Sequence, residues 1–163
     1  MSAHHEWLNL VEVSGPFLAV PVLREAFPQG LEALEAPQAK RLRSTYEEWR
    51  DAVDTDDADL DRLHIAWIGE VFLTALEADD SMLRRGEQVA PSACTDLPEH
   101  DTSIVPDLVL VDPTRSDALL LLVHIFPPDT NLSAALRFGG LASSPADRMA
   151  LHLRSVGCPL GIV

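Results

Sequence analysis

Apolar positions are densest between residues 106 and 128, PDLVLVDPTRSDALLLLVHIFPP. Asp107-Leu-Val-Leu-Val is short, apolar and β-branched, and residues 118–126 form an apolar run of strand length. The turn-forming Asp112-Pro-Thr-Arg-Ser-Asp between them predicts a β-hairpin. Further on, Ser144, Pro145 and Asp147 occupy the N-cap, first-turn and third positions of a helix expected to run to Val156, where Gly157 stops it. Residues 159–163 are a last apolar piece, so the order predicted after residue 106 is strand, strand, helix, strand.

Ahead of the hairpin the period is helical. Residues 4–13 predict a short helix ended by Ser14-Gly15-Pro16, and residues 17–27 are apolar but interrupted by prolines, which reads as irregular structure or a single turn. Residues 31–53 predict a long amphipathic helix with Leu42, Tyr46 and Trp49 on one face, which Pro37 either restarts or kinks. After the N-cap candidates of residues 54–59 comes a helix over 60–78. Within it, IAWIGEVFLTAL carries a single charge, Glu70, so the helix is expected to be buried on most sides. Such a carboxylate either lies at an uncovered edge, pairs with an arginine, or has a chemical use. Residues 79–105 are acidic, hold Pro91 and Pro98, and predict a connecting excursion with a short strand at 88–90. Pro127-Pro128 and Gly139-Gly140 mark another loop.

A chain of 163 residues is one domain's worth and buries roughly 70% of its unfolded surface without staples. Cys94 and Cys158 lack a Cys-x-x-Cys spacing, which favours a reduced, cytoplasmic protein. No apolar run approaches the ~20 residues of a membrane helix. The net charge of −14 lacks the basic footprint of an autonomous nucleic-acid binder. The acidic runs at 51–61 and 96–101 read as solvated loops and helix ends. The sequence stops at Ile162-Val163 inside an apolar strand, so a longer chain is expected, truncated here at the core's C-terminal edge, with a natural end at an edge strand as the alternative.

A helix with one inward carboxylate, a strand opening on Pro106-Asp107, an antiparallel partner, a crossover helix and a further strand together resemble the PD-(D/E)XK nuclease core over residues 60–163. The pairing of the Pro-Asp-Leu-Val-Leu-Val strand with the segment Arg148-Met-Ala-Leu-His-Leu-Arg-Ser-Val-Gly-Cys-Pro-Leu-Gly-Ile-Val resembles, more narrowly, the N-terminal region of type IIG-like adenine-specific DNA methyltransferases, including those of bacterial phage-defence clusters such as DISARM. The implied fold is α/β (α+β): a helical part over 1–59 packed on a restriction-endonuclease-like core over 60–163, a small mixed sheet flanked by helices, one compact domain in all. In active members the strand-initial aspartate and an acid-x-lysine pair hold Mg²⁺ and position water, because phosphodiester hydrolysis needs charge stabilised on two oxygens. The resemblance puts Asp107 at the first position and Glu70 as the helix carboxylate. Family members read Leu-Val-acid-x-Lys-Pro-Pro on the second strand. This chain reads Leu122-Val-His-Ile-Phe-Pro-Pro, with His124 for the acid and Phe126 for the lysine, and Lys40 is its only lysine. Arg148 or Arg154 would bring a charge, but a guanidinium is not equivalent to lysine. The expectation is a catalytically degenerate core with no catalytic residues and no cofactor of its own.

Such a domain is expected to dock on a methyltransferase body or partner subunit and to guide DNA, with S-adenosylmethionine bound elsewhere in the parent chain. Neither a glycine-rich S-adenosylmethionine loop nor an Asn-Pro-Pro-Tyr tetrapeptide occurs in these residues, and Gly139-Gly140 has no phosphate-loop lysine after it. Two alternatives stand. One is a live nuclease holding Mg²⁺, Mn²⁺ or Zn²⁺ on Asp107, Glu70 and His124; His4-His5-Glu6 is a further possible metal clip. The other is a free-standing interaction module whose partner surface is the apolar segment 17–27.

Overall fold

The computed structural model describes Glu25, residues 27–30 and residues 33–163. The helix expected at 4–13, the His4-His5-Glu6 clip and nearly all of the apolar segment 17–27 lie outside the described residues. The chain divides into compact units Met1–Ala39 and Lys40–Val163, and the second carries the sheet and every site residue described below. It is mixed α/β.

Helix α1 spans Ala36–Thr55. Pro37 sits in its first turn, where a missing N–H costs nothing, so of the two roles expected for this proline the structure takes the start rather than the kink. Helix α2, Leu60–Glu70, runs on into a π-turn over Val71–Ala75, with Leu76 N–H bonded back to the Val71 carbonyl at 3.2 Å. The expectation that this helix is buried on most sides does not hold. None of its α-helical residues is fully buried, and Ile65 is 58% exposed. Ile68, and Phe72 of the π-turn, pack on the apolar face of the sheet.

The central sheet has four strands in the order β1-β4-β5-β8. β1 is Leu83–Arg85, β4 is Leu108–Asp112, β5 is Ala118–Val123 and β8 is Gly161–Ile162. The first three pair antiparallel, and β8 runs parallel to β5. β1 corrects the expected strand at 88–90, where a 3₁₀ turn, Gly86–Gln88, ends and no strand forms. Two basic residues in a three-residue strand give no alternating pattern to read.

In the β4–β5 pair, Leu110 faces Leu121 and Val111 faces Leu119, so Leu120 is a bulged residue. Every residue of β5 is apolar, so both of its faces are. Val109, Val111 and Leu122 pack against Met149 on one side, while Leu110, Leu121 and Val123 pack with Phe72 and Ala78 on the other. β5 stops at Val123, short of the expected 126, because the next free N–H, that of Ile125, is taken by the Asp107 carboxylate at 2.7 Å.

Two small hairpins fill the connections: β2, Thr95–Leu97, with β3, Thr102–Ile104, and β6, Leu136–Phe138, with β7, Leu141–Ser143. The second replaces part of the expected loop and turns at Gly139-Gly140. Gly139 has φ 56°, and a Cβ there would stand 2.8 Å from the Thr102 side chain, so these glycines serve a tight turn packed on β3. Helix α3, Pro145–Val156, carries the expected caps. Ser144 Oγ accepts from Asp147 N–H at 3.0 Å, and Gly157 closes the end in the left-handed region at φ 69°.

Candidate functional site

Asp107 and His124 flank the place where β4 begins and β5 ends. Asp107 N–H donates to the Val123 carbonyl at 2.9 Å, and its carboxylate accepts the Ile125 N–H, so this aspartate clamps the two strands at their open end. Its side chain is exposed. His124 shares the face of Leu122, as period-two alternation requires, and is 7% exposed.

One nitrogen of the His124 ring is committed within the fold. Its Nε2 lies 2.9 Å from Nδ1 of His152 on α3, and His152 Nε2 lies 2.8 Å from the Ala93 carbonyl. A carbonyl only accepts, so His152 Nε2 carries the proton; because burial disfavours a second proton on that ring, its Nδ1 is the acceptor and His124 Nε2–H donates. The pair is therefore a directed chain of two neutral imidazoles. Burial first, then His152, then Arg148 push the His124 pKa down to about 4. Burial likewise lowers that of His152, against the hydrogen bond to Ala93.

Phe126, where the resemblance leads one to expect a lysine, is half-buried and lies against Arg148. The Arg148 guanidinium carbon stands 5.7 Å from the Phe126 ring centre and 4.3 Å from that of Phe138. Both contacts are in cation–π range.

Glu70 is elsewhere. It ends α2, on the sheet face opposite α3, and bonds to Arg41 Nε at 2.6 Å and to the Thr74 hydroxyl, which also accepts from Arg41 Nη2 at 2.8 Å. Of the roles open to this carboxylate, the arginine pair is the one found. Asp107, Glu70 and His124 are thus held by Ile125, Arg41 and His152 respectively, and are not brought together as a metal set. Among the described residues no three His, Cys, Asp or Glu side chains converge in a way that would hold a metal ion.

Beside the end of β5 lies an open apolar cleft of about 390 Å³, lined among others by Trp49, His64, Trp67, Phe72, His124 and Ile162. Its wall is an aromatic cluster in which Trp49 and Trp67 stack with ring centres 6.1 Å apart and Tyr46 meets Trp67 edge-on at 5.3 Å. His64 Nε2–H donates to the Phe126 carbonyl at 2.9 Å, leaving its Nδ1 buried without a partner, as is Trp49 Nε1. The stripe Leu42, Tyr46, Trp49 foretold an apolar helix face here. His152 was the residue that sequence reasoning missed, and its signal was spacing: it follows Arg148 by four positions and shares a helical face with Met149 and Val156.

Comparisons with protein-family models, with curated proteins and with solved structures find no match to this chain. Among the described residues no helix is long and apolar enough to cross a membrane.

Proposed function

We propose that this chain is a degenerate nuclease-like domain of a restriction–modification-like adenine DNA methyltransferase in bacterial phage defence. In this reading it docks on the methyltransferase body or a partner subunit, helps guide DNA in the cytoplasm, and cuts nothing itself. The order helix, two antiparallel strands (β4 and β5), helix and parallel strand (β8) supports it, since that is the succession the resemblance implies; β1 is an addition to it.

The observation that carries the proposal is the fate of positions 124 and 126. They lie beside Asp107, where an acid-x-lysine pair belongs, yet His124 is bonded to His152 and Phe126 is stacked near Arg148. An imidazole tied into the core and a phenyl ring supply neither a second carboxylate for a metal nor an ammonium to orient water. The test is the reading frame around these 163 codons. A glycine-rich S-adenosylmethionine loop and an Asn-Pro-Pro-Tyr-like tetrapeptide in the same frame support the proposal, and a frame with no methyltransferase residues sinks it.

The aromatic-walled cleft favours one second reading, an interaction module that buries this wall against another protein. Light scattering on the isolated chain with candidate partners discriminates: a strict monomer that forms no complex counts against it.

A further inference from the structure

Arg148 is 7% exposed, yet none of the described carboxylates lies in ion-pair range of it, and its Nε is fully buried with no hydrogen-bond partner. Buried charges are normally paired and hydrogen-bonded, because removing them from water is otherwise too costly. Asp147, next to it in the chain, accepts from the Ser144 hydroxyl at 2.7 Å instead. Phe126 and Phe138 offer the cation their π-faces, but a ring face does not satisfy the in-plane N–H donors that give a guanidinium its fork. Both rings are only half-buried, so the cation sits one side chain beneath the surface. Desolvation already weighs against its charge, and an oxyanion in that fork would relieve it.

We propose that the Arg148 guanidinium, held against Phe126 and Phe138, is the receptor for a phosphate group. The proposal deepens the nuclease-like reading and rests on it for the choice of phosphate: Phe126 stands where that fold keeps the lysine of its phosphodiester site. The residual function of the pocket is then to grip a phosphate without attacking it. Bidentate N–H···O pairing supplies the specificity, and the source is either a nucleic-acid backbone or a free phosphate.

Thermal unfolding of the 163-residue chain in sodium phosphate, against sodium chloride and sodium acetate at equal ionic strength, tests it. Phosphate is expected to raise the Tm in a concentration-dependent way beyond both controls, and Arg148→Met, which keeps the stem against the rings, is expected to abolish that difference. An equal shift in Arg148→Met, or none beyond chloride, overturns the proposal. Should Arg148→Met fail to fold, the Arg148 Nε–H resonance of the wild-type chain decides: a saturable shift on adding phosphate supports the site, and an unmoved resonance rejects it. A short DNA duplex forms the second arm. Phosphate stabilisation with duplex binding that is lost in Arg148→Met supports a backbone phosphate. Phosphate stabilisation without duplex binding supports a free phosphate and removes DNA guidance from the proposed function while leaving this site standing.

Discussion

His124 Nε2 donates to His152 Nδ1 at 2.9 Å across the interface between β5 and α3. This bond joins the strand-end histidine to a buried imidazole anchored on the Ala93 carbonyl. It has a definite direction, and its consequences for pH and for mutation follow from that.

Both histidines have depressed pKa values in the fold, that of His124 to about 4. A group depressed on folding takes up its proton in the unfolded chain first, so the stability it allows is present above the unfolded value near 6.5 and is lost as pH falls towards the folded one. Chemical unfolding between pH 7 and 4 should show stability falling by about 1.4 kcal/mol per pH unit for each proton bound only by the unfolded state. A flat profile across that window contradicts the neutral pair.

The chain's polarity ranks two substitutions. His152→Leu orphans both the Ala93 carbonyl and the His124 N–H, whereas His124→Leu leaves only the His152 Nδ1 lone pair unpaired. His152→Leu should cost about 2–3 kcal/mol and exceed His124→Leu. The reverse order in urea unfolding would reverse the tautomers.

Glu70 and Arg41 form a pair whose arginine side chain is 61% exposed. A double-mutant cycle with Arg41→Ala and Glu70→Ala should give a coupling of about 0.5–1 kcal/mol that shrinks as salt is raised. A coupling of zero at low salt would mean that Glu70 is held by Thr74 alone.

Asp107 acts as a strand clamp. Asp107→Ala frees the Ile125 N–H and should cost about 1 kcal/mol, while Asp107→Asn, which keeps an acceptor, should cost less. Equal losses for the two would point to the charge rather than the acceptor.

Much of the fold was legible because its signals are local. The caps Ser144 and Gly157, the turn from 112 to 117 and the apolar strands on either side of it follow from propensity and period alone. β1 was not legible, because Leu83-Arg84-Arg85 shows no alternation and is a strand only by pairing with β4. Nor was the exposure of Ile65, since hydrophobicity says that a residue can be buried but not that a neighbour exists to bury it. At the site, position 124 was readable by register, but its partner His152 lies on another element, and tertiary pairing of that kind leaves little trace in one sequence.

The most direct test of the central claim is a cleavage assay with the 163-residue chain on linear, supercoiled and single-stranded DNA, with Mg²⁺ or Mn²⁺, beside Asp107→Ala. The account predicts no metal-dependent cleavage above the Asp107→Ala background on any form. Cleavage that needs the metal and vanishes in Asp107→Ala would show that Asp107 still works in a live site, and would contradict the degenerate reading outright.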